Sequence, residues 1–182
     1  MKRNSAKDIM NLKGERPIVC LTAYTAPIAR ALDEHVDLLL VGDSLGMVLY
    51  DYENTLSVTL PQMVEHAKSV VNASSSSCIV VDLPFGTYEE SKEKAFSNSS
   101  DVMKETNCNA IKLEGGQNMY ETVKFLTERS IPVMGHIGLQ PQRVLIEGGY
   151  KVKGKSKFEW NKFIEDAQSL EEAGAFSVVL KN

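Results

Sequence analysis

Cysteine is scarce. Cys20, Cys78 and Cys108 are the whole complement, far apart and without Cys-x-x-Cys spacing. An odd, sparse set excludes a disulfide framework and a zinc knuckle. Cys20 and Cys78 fall in apolar runs and read as buried, inert thiols. Long apolar stretches are missing too. The densest, residues 36–41, is strand-sized and carries Asp37, against the ~20 residues of a membrane span. Residues 1–11 are polar and lack the apolar centre of a signal peptide. The expectation is a cytoplasmic protein with no membrane partner. Nor is there an excess of positive charge: 20 Lys and Arg against 24 Asp and Glu leave a net −4. Nothing in that balance attracts nucleic acid. No Gly-x-Gly-x-x-Gly follows the first strand-like run, and no Gly-x-x-x-x-Gly-Lys occurs. The two commonest nucleotide-binding readings lose their support.

What is present is alternation. Short β-branched runs at residues 18–22, 37–41, 78–83, 110–113, 131–135 and 176–180 predict strands. Between them lie segments of helical period, from residues 26–34 onward. In one, Thr59 is placed as N-cap, Pro61 lies in the first turn, and Met63, Val64, Ala67, Val70 and Val71 share a face. Another carries Ala95, Phe96, Ser99, Val102 and Met103, and a third Tyr120, Val123 and Leu126. The last has Trp160, Phe163, Ile164, Ala167 and Leu170 on one face, with Gly174 as its stop. About fifteen residues after the second strand read as loop, as do the serine tract 74–77 and the charged stretch 151–157. His35 and His66 read as surface residues without a role. The chain of 182 residues is treated as a single domain. Strand–helix alternation implies a parallel sheet with right-handed crossovers, either an open doubly wound sheet or part of a (β/α)8 barrel. Periodicity leaves both open.

Polar residues recur just past the strand runs: Asp43 and Ser44 after the second, Asp82 closing the third, Lys112 and Glu114 on the fourth, His136 after the fifth. Taken singly, an Asp after a strand is more often a cap, Lys112 and Glu114 a solvated ion pair, and His136 a core histidine. Taken together they converge, because all C-terminal strand ends of a parallel sheet share one face. Asp43, Asp82 and Glu114 would then form an all-oxygen carboxylate cluster suited to a hard cation such as Mg2+. Lys112 lies two residues before Glu114 and points to the same side, placed to hold an anionic oxygen, with Ser44 donating to the same group.

Residues 41–47 (Val-Gly-Asp-Ser-Leu-Gly-Met), 82–85 (Asp-Leu-Pro-Phe), 112–116 (Lys-Leu-Glu-Gly-Gly), 131–139 (Ile-Pro-Val-Met-Gly-His-Ile-Gly-Leu) and 148–154 (Gly-Gly-Tyr-Lys-Val-Lys-Gly) follow one another along the chain. With residues 21–24 and 127–129 they resemble, in order and spacing, the ketopantoate hydroxymethyltransferase family, over its N-terminal two-thirds. The resemblance implies an α/β fold, a (β/α)8 TIM barrel that is C-terminally truncated, with about six of eight βα units present. It implies Mg2+, 5,10-methylenetetrahydrofolate as co-substrate, and a homo-oligomer, a decamer in the family. The implied reaction moves a hydroxymethyl group to 3-methyl-2-oxobutanoate, giving 2-dehydropantoate in pantothenate biosynthesis. By the same resemblance Asp43, Asp82 and Glu114 surround the metal, the first two nearest the ion. Asp43, Ser44, Asp82 and Lys112 hold the oxo acid, and His136 lies in the pocket.

The chain departs from the family at Lys181, where the family's proton-abstracting glutamate stands, so no catalytic base is assigned. An ordinary lysine, pKa near ~10.4, is a poor base at neutral pH. A barrel also usually takes ~250 residues, and the expectation is a truncated or frame-disrupted product, or a fragment. Two other readings stand beside the enzyme: a catalytically silent remnant that binds Mg2+ and an oxo acid, and a phosphoenolpyruvate–isocitrate lyase-like barrel, against which residues 148–154 argue.

Overall fold

The computed structural model describes residues 3–182 and has an α/β fold with one sheet of six parallel strands. These are β1 (Cys20–Thr22), β2 (Leu38–Val41), β3 (Cys78–Asp82), β4 (Ala110–Glu114), β5 (Val133–Gly138) and β6 (Ser177–Lys181). They lie side by side in chain order. A doubly wound sheet needs a reversal of that order, and none occurs. When every right-handed crossover steps the same way, all connecting helices land on one face, and the sheet curls about the other.

The helices are α1 (Ala6–Asn11), α2 (Ala26–Leu32), α3 (Leu45–Leu49), α4 (Leu60–Asn72), α5 (Lys92–Thr106), α6 (Tyr120–Thr127), α7 (Val144–Glu147) and α8 (Lys157–Glu172). Alternation along the strands divides the core in two. Leu39, Val41, Ile79, Val81, Ile111, Leu113, Val133 and Ile137 point outward to the helices, meeting Met63, Ala67, Val70, Ala95, Val102, Val123, Leu126 and Leu170. Leu38, Cys78, Val80, Ala110 and Met134 point inward, and Ile9 of α1 joins them. The capping box of Ser5 and Asp8 starts α1, and Ile9 closes the end of the sheet where the strands begin.

Helix α4 follows its sequence closely. Thr59 and Gln62 form a capping box, Pro61 sits in the first turn, and the buried residues are the five expected. The methionine and the three valines each contribute about 1.5–3 kcal/mol when removed from water, and Ala67 less.

Several expectations are corrected. A short helix, α3, interrupts the stretch after β2 read as loop, a further short helix, α7, follows β5, and β5 runs later than residues 131–135. The serine tract is not solvated loop: it wraps the carboxylate of Asp33, with Ser77 buried. His66 is half-buried rather than a surface residue, tying the Tyr24 carbonyl (2.6 Å) to the Tyr50 hydroxyl (2.8 Å). The charged stretch is a largely exposed loop as read, with Lys153 paired to Glu147 at 2.5 Å. Cys20 is exposed, as is all of β1, because β1 pairs with β2 alone. On α8 only Leu170 is buried, while Trp160 and Ile164 face solvent. The outer edge of β6 likewise has no strand beside it, and Leu180 is exposed. No helix among the described residues is long and apolar enough to cross a membrane.

Candidate active site

Backbone register assembles the site. Asp82 stands opposite Lys112, Glu114 opposite His136, and Gly138 opposite Lys181. Alternation turns residues 82, 112, 114 and 136 to the inner face, at the ends where the strands finish. Asp43 arrives from the turn after β2, and its backbone N–H donates to Asp82 Oδ2 at 3.3 Å. The turn depends on Gly46. A Cβ there would lie 2.5 Å from Val58 and 2.9 Å from the Tyr52 ring, so a side chain would push α3 and its preceding residues off the rim. Ser44, half-buried, shares a hydrogen bond with Tyr24 (2.8 Å between oxygens).

The sequence-derived residues thus meet at one rim. Asp43, Asp82, Lys112, Glu114 and His136 are each at most 5% exposed. Lys112 Nζ lies 2.5 Å from Asp82 Oδ1 and 3.3 Å from His136 Nδ1. His136 Nδ1 is 3.4 Å from Glu114 Oε1, and its Nε2 is buried without a partner. Lys181 ends β6 and is exposed, though its charge is felt at Glu114 and His136.

Three carboxylates face one buried lysine, and the electrostatics record the mismatch. Burial pushes Asp82 up to about 7, with Lys112 opposing and the charges of Asp43 and Glu114 adding. Burial does the same to Glu114, also to about 7, again opposed by Lys112 and aided by Asp43. Burial by itself would lower Lys112, yet Asp82 and Asp43 outweigh it and its pKa is raised. Burial, then Lys112 and Lys181, press His136 down to about 3, so its ring is neutral. A neutral imidazole donates from one nitrogen only.

Two participants went unnoticed in the sequence. Gln142, buried in the short turn after β5, donates Nε2–H to Asp43 Oδ2 (2.8 Å) and to the Leu83 carbonyl (3.0 Å). Its backbone N–H donates to Glu114 Oε2 at 3.1 Å. Tyr88 donates to Gln142 Oε1 (2.6 Å) and accepts from the Glu114 N–H (3.2 Å). The one available signal was Pro141 before Gln142, which fixes the turn that aims it. Among the described residues, no three His, Cys, Asp or Glu side chains gather closely enough to hold a metal ion alone. Beside the cluster opens a cavity of about 300 Å3 lined by Phe85, Tyr88, Glu114 and Gln142.

Curated relatives from Rhizobium etli, Sinorhizobium fredii and Brucella canis are each 56% identical over 180 residues, and each is named 3-methyl-2-oxobutanoate hydroxymethyltransferase. The match covers 99% of this chain and 66% of theirs, so the chain spans just under two-thirds of their length. Among solved structures, a phosphonopyruvate hydrolase complex with oxalate and Mg++ superposes with a TM-score of 0.71, covering 100% of this chain and 64% of that one. A putative phosphonomutase from Burkholderia cenocepacia gives 0.74, covering 97% and 74%. Both are 14% identical and speak to the fold alone. The profile described as ketopantoate hydroxymethyltransferase matches residues 3–182, and the chain belongs to that family.

Proposed function

We propose that this chain carries the oxo-acid half of a 3-methyl-2-oxobutanoate hydroxymethyltransferase site, on six strands of what would be an eight-stranded (β/α) barrel. The observation that supports it is the rim itself: Asp43, Asp82, Lys112 and Glu114 buried together at one end of the strands, in a member of that family.

The residues fit a divalent cation by the chemistry of their donors. Asp43 and Asp82 are adjacent and desolvated, and the cluster holds more buried negative charge than Lys112 neutralises. Mg2+ commonly takes one or two carboxylates, with water or substrate completing its octahedron. Asp43 and Asp82 would hold it, with Glu114 beside them. Such an ion supplies Lewis acidity toward the keto and carboxylate oxygens of the oxo acid.

The remaining work falls to the protein. Lys112, pinned against Asp82, presents ammonium hydrogens toward oxygen that gains charge as C3 of the substrate loses its proton. Neutral His136 offers a hydrogen-bonding edge without adding charge. The base is the weak point. Lys181 is the residue in the position that the resemblance gives to the base, and a lysine ammonium has no lone pair to accept a proton. In the overall transfer C3 would bond to the methylene carbon of methylenetetrahydrofolate, both carbon–nitrogen bonds of that carbon would break, its hydroxyl oxygen would come from water, and tetrahydrofolate would leave with its two nitrogens taking up the C3 proton and one proton of the water.

The test is solvent-deuterium exchange at C3 of 3-methyl-2-oxobutanoate, followed by proton NMR with Mg2+ and without folate. Exchange should be slow in this chain and rise about 10²-fold or more in Lys181→Glu. It should vanish in Lys181→Glu combined with Asp82→Asn. Exchange indifferent to both substitutions would dismiss this reading.

A further inference from the structure

We infer that Gln142 is a specificity-determining residue of the rim, and that it selects a small, octahedral cation over a larger one by rationing carboxylate oxygens. The inference rests on reading Asp43 and Asp82 as cation ligands.

Gln142 reaches both carboxylates that flank Asp82. One amide hydrogen goes to Asp43 Oδ2 and the other to the Leu83 carbonyl. Those two neighbours are acceptors only, so the nitrogen must face them and the amide cannot be flipped. The amide oxygen is fixed in turn by the Tyr88 hydroxyl. The same residue's backbone N–H holds Glu114 Oε2. Glu114 Oε1 is meanwhile within 3.4 Å of His136 Nδ1.

The amide hydrogen bond occupies a lone pair of Asp43 Oδ2 and disfavours its use beside Oδ1 on a cation, and Glu114 Oε2 is held in the same way by a backbone N–H. Ca2+ takes six to eight oxygens and readily uses a carboxylate with both of its oxygens, whereas Mg2+ accepts few protein ligands and keeps its water. A rim that offers single oxygens suits the second ion and penalises the first. Methionine at position 142 would keep the side-chain length and remove both amide donors, returning Oδ2 of Asp43 to the pool.

The measurement is the ratio of Ca2+ to Mg2+ affinity, read by isothermal titration calorimetry and by competition against Mn2+ in electron paramagnetic resonance. Gln142→Met should raise that ratio about 10-fold, the scale on which residues behind metal ligands act. Tyr88→Phe, which keeps the amide but frees its oxygen, should move the ratio the same way by less. If Gln142→Met does not fold, the ratio in Tyr88→Phe decides. A merely architectural role would weaken both ions alike, and an unchanged ratio in the folded variant overturns the inference. If the parent chain binds neither ion, the cation reading of Asp43 and Asp82 falls first and this one falls with it.

Discussion

Two buried groups of acid sit at opposite ends of the same sheet, and the protein treats them in opposite ways. Asp33, where the strands begin, is wrapped by the serine tract: Ser74 and Ser75 hydroxyls and the N–H groups of Ser75, Ser76 and Ser77 all donate to it. Those donors outweigh burial and hold its pKa well below the carboxylate range. Asp82 and Glu114, where the strands finish, are as buried but face other carboxylates, and both are raised to about 7. A carboxylate supplied with donors is a structural staple. One left short of positive charge is an invitation to a ligand.

That contrast can be broken most forcefully at Asp33. Asp33→Ala strands several N–H and O–H donors and should cost about 2–4 kcal/mol in urea unfolding at neutral pH. Because the folded pKa is depressed, the lost contribution is one present above about 3.8 that fades as pH falls below it. The deficit should therefore stay constant from pH 8 to 5 and shrink only in acid. A deficit that grew in acid would refute the assignment.

At the other end the sign reverses. A carboxyl whose folded pKa is raised favours the folded state while protonated; for Glu114 that contribution is full below about 4.5 and spent once pH passes about 7. Glu114→Gln, which does not titrate, should gain about 1–2 kcal/mol on the parent protein between pH 4.5 and 7.5, measured without divalent ions. Parallel stability curves across that window would show that Glu114 is not strained. The smallest effect sharpens the contrast. Ser74→Ala removes one of five donors to Asp33 and should cost only about 0.5–1 kcal/mol, visible as a modest fall in Tm.

Much of this was legible beforehand, for identifiable reasons. The face of α4 and its Thr59 cap follow from local spacing and capping chemistry, which need no tertiary knowledge. Asp43, Asp82, Lys112, Glu114 and His136 were readable because strand ends of a parallel sheet meet, whatever the loops do. Gln142 and Tyr88 were not, since neutral side chains act here only through partners far off in sequence. The serine tract misled by composition: its amides are ordered by Asp33, some forty residues earlier. Cys20, Trp160 and Ile164 misled for another reason. Their apolar settings announce a partner surface, and β1 and α8 have none on that side.

Ile9 has a consequence beyond packing. Because Ile9 of α1 packs on the inner face where the strands begin, that end is plugged, while β1 and β6 remain open edges. The plug leaves the opposite end, where Asp43, Asp82 and Glu114 gather, as the end of the strands at which a small solute meets charge.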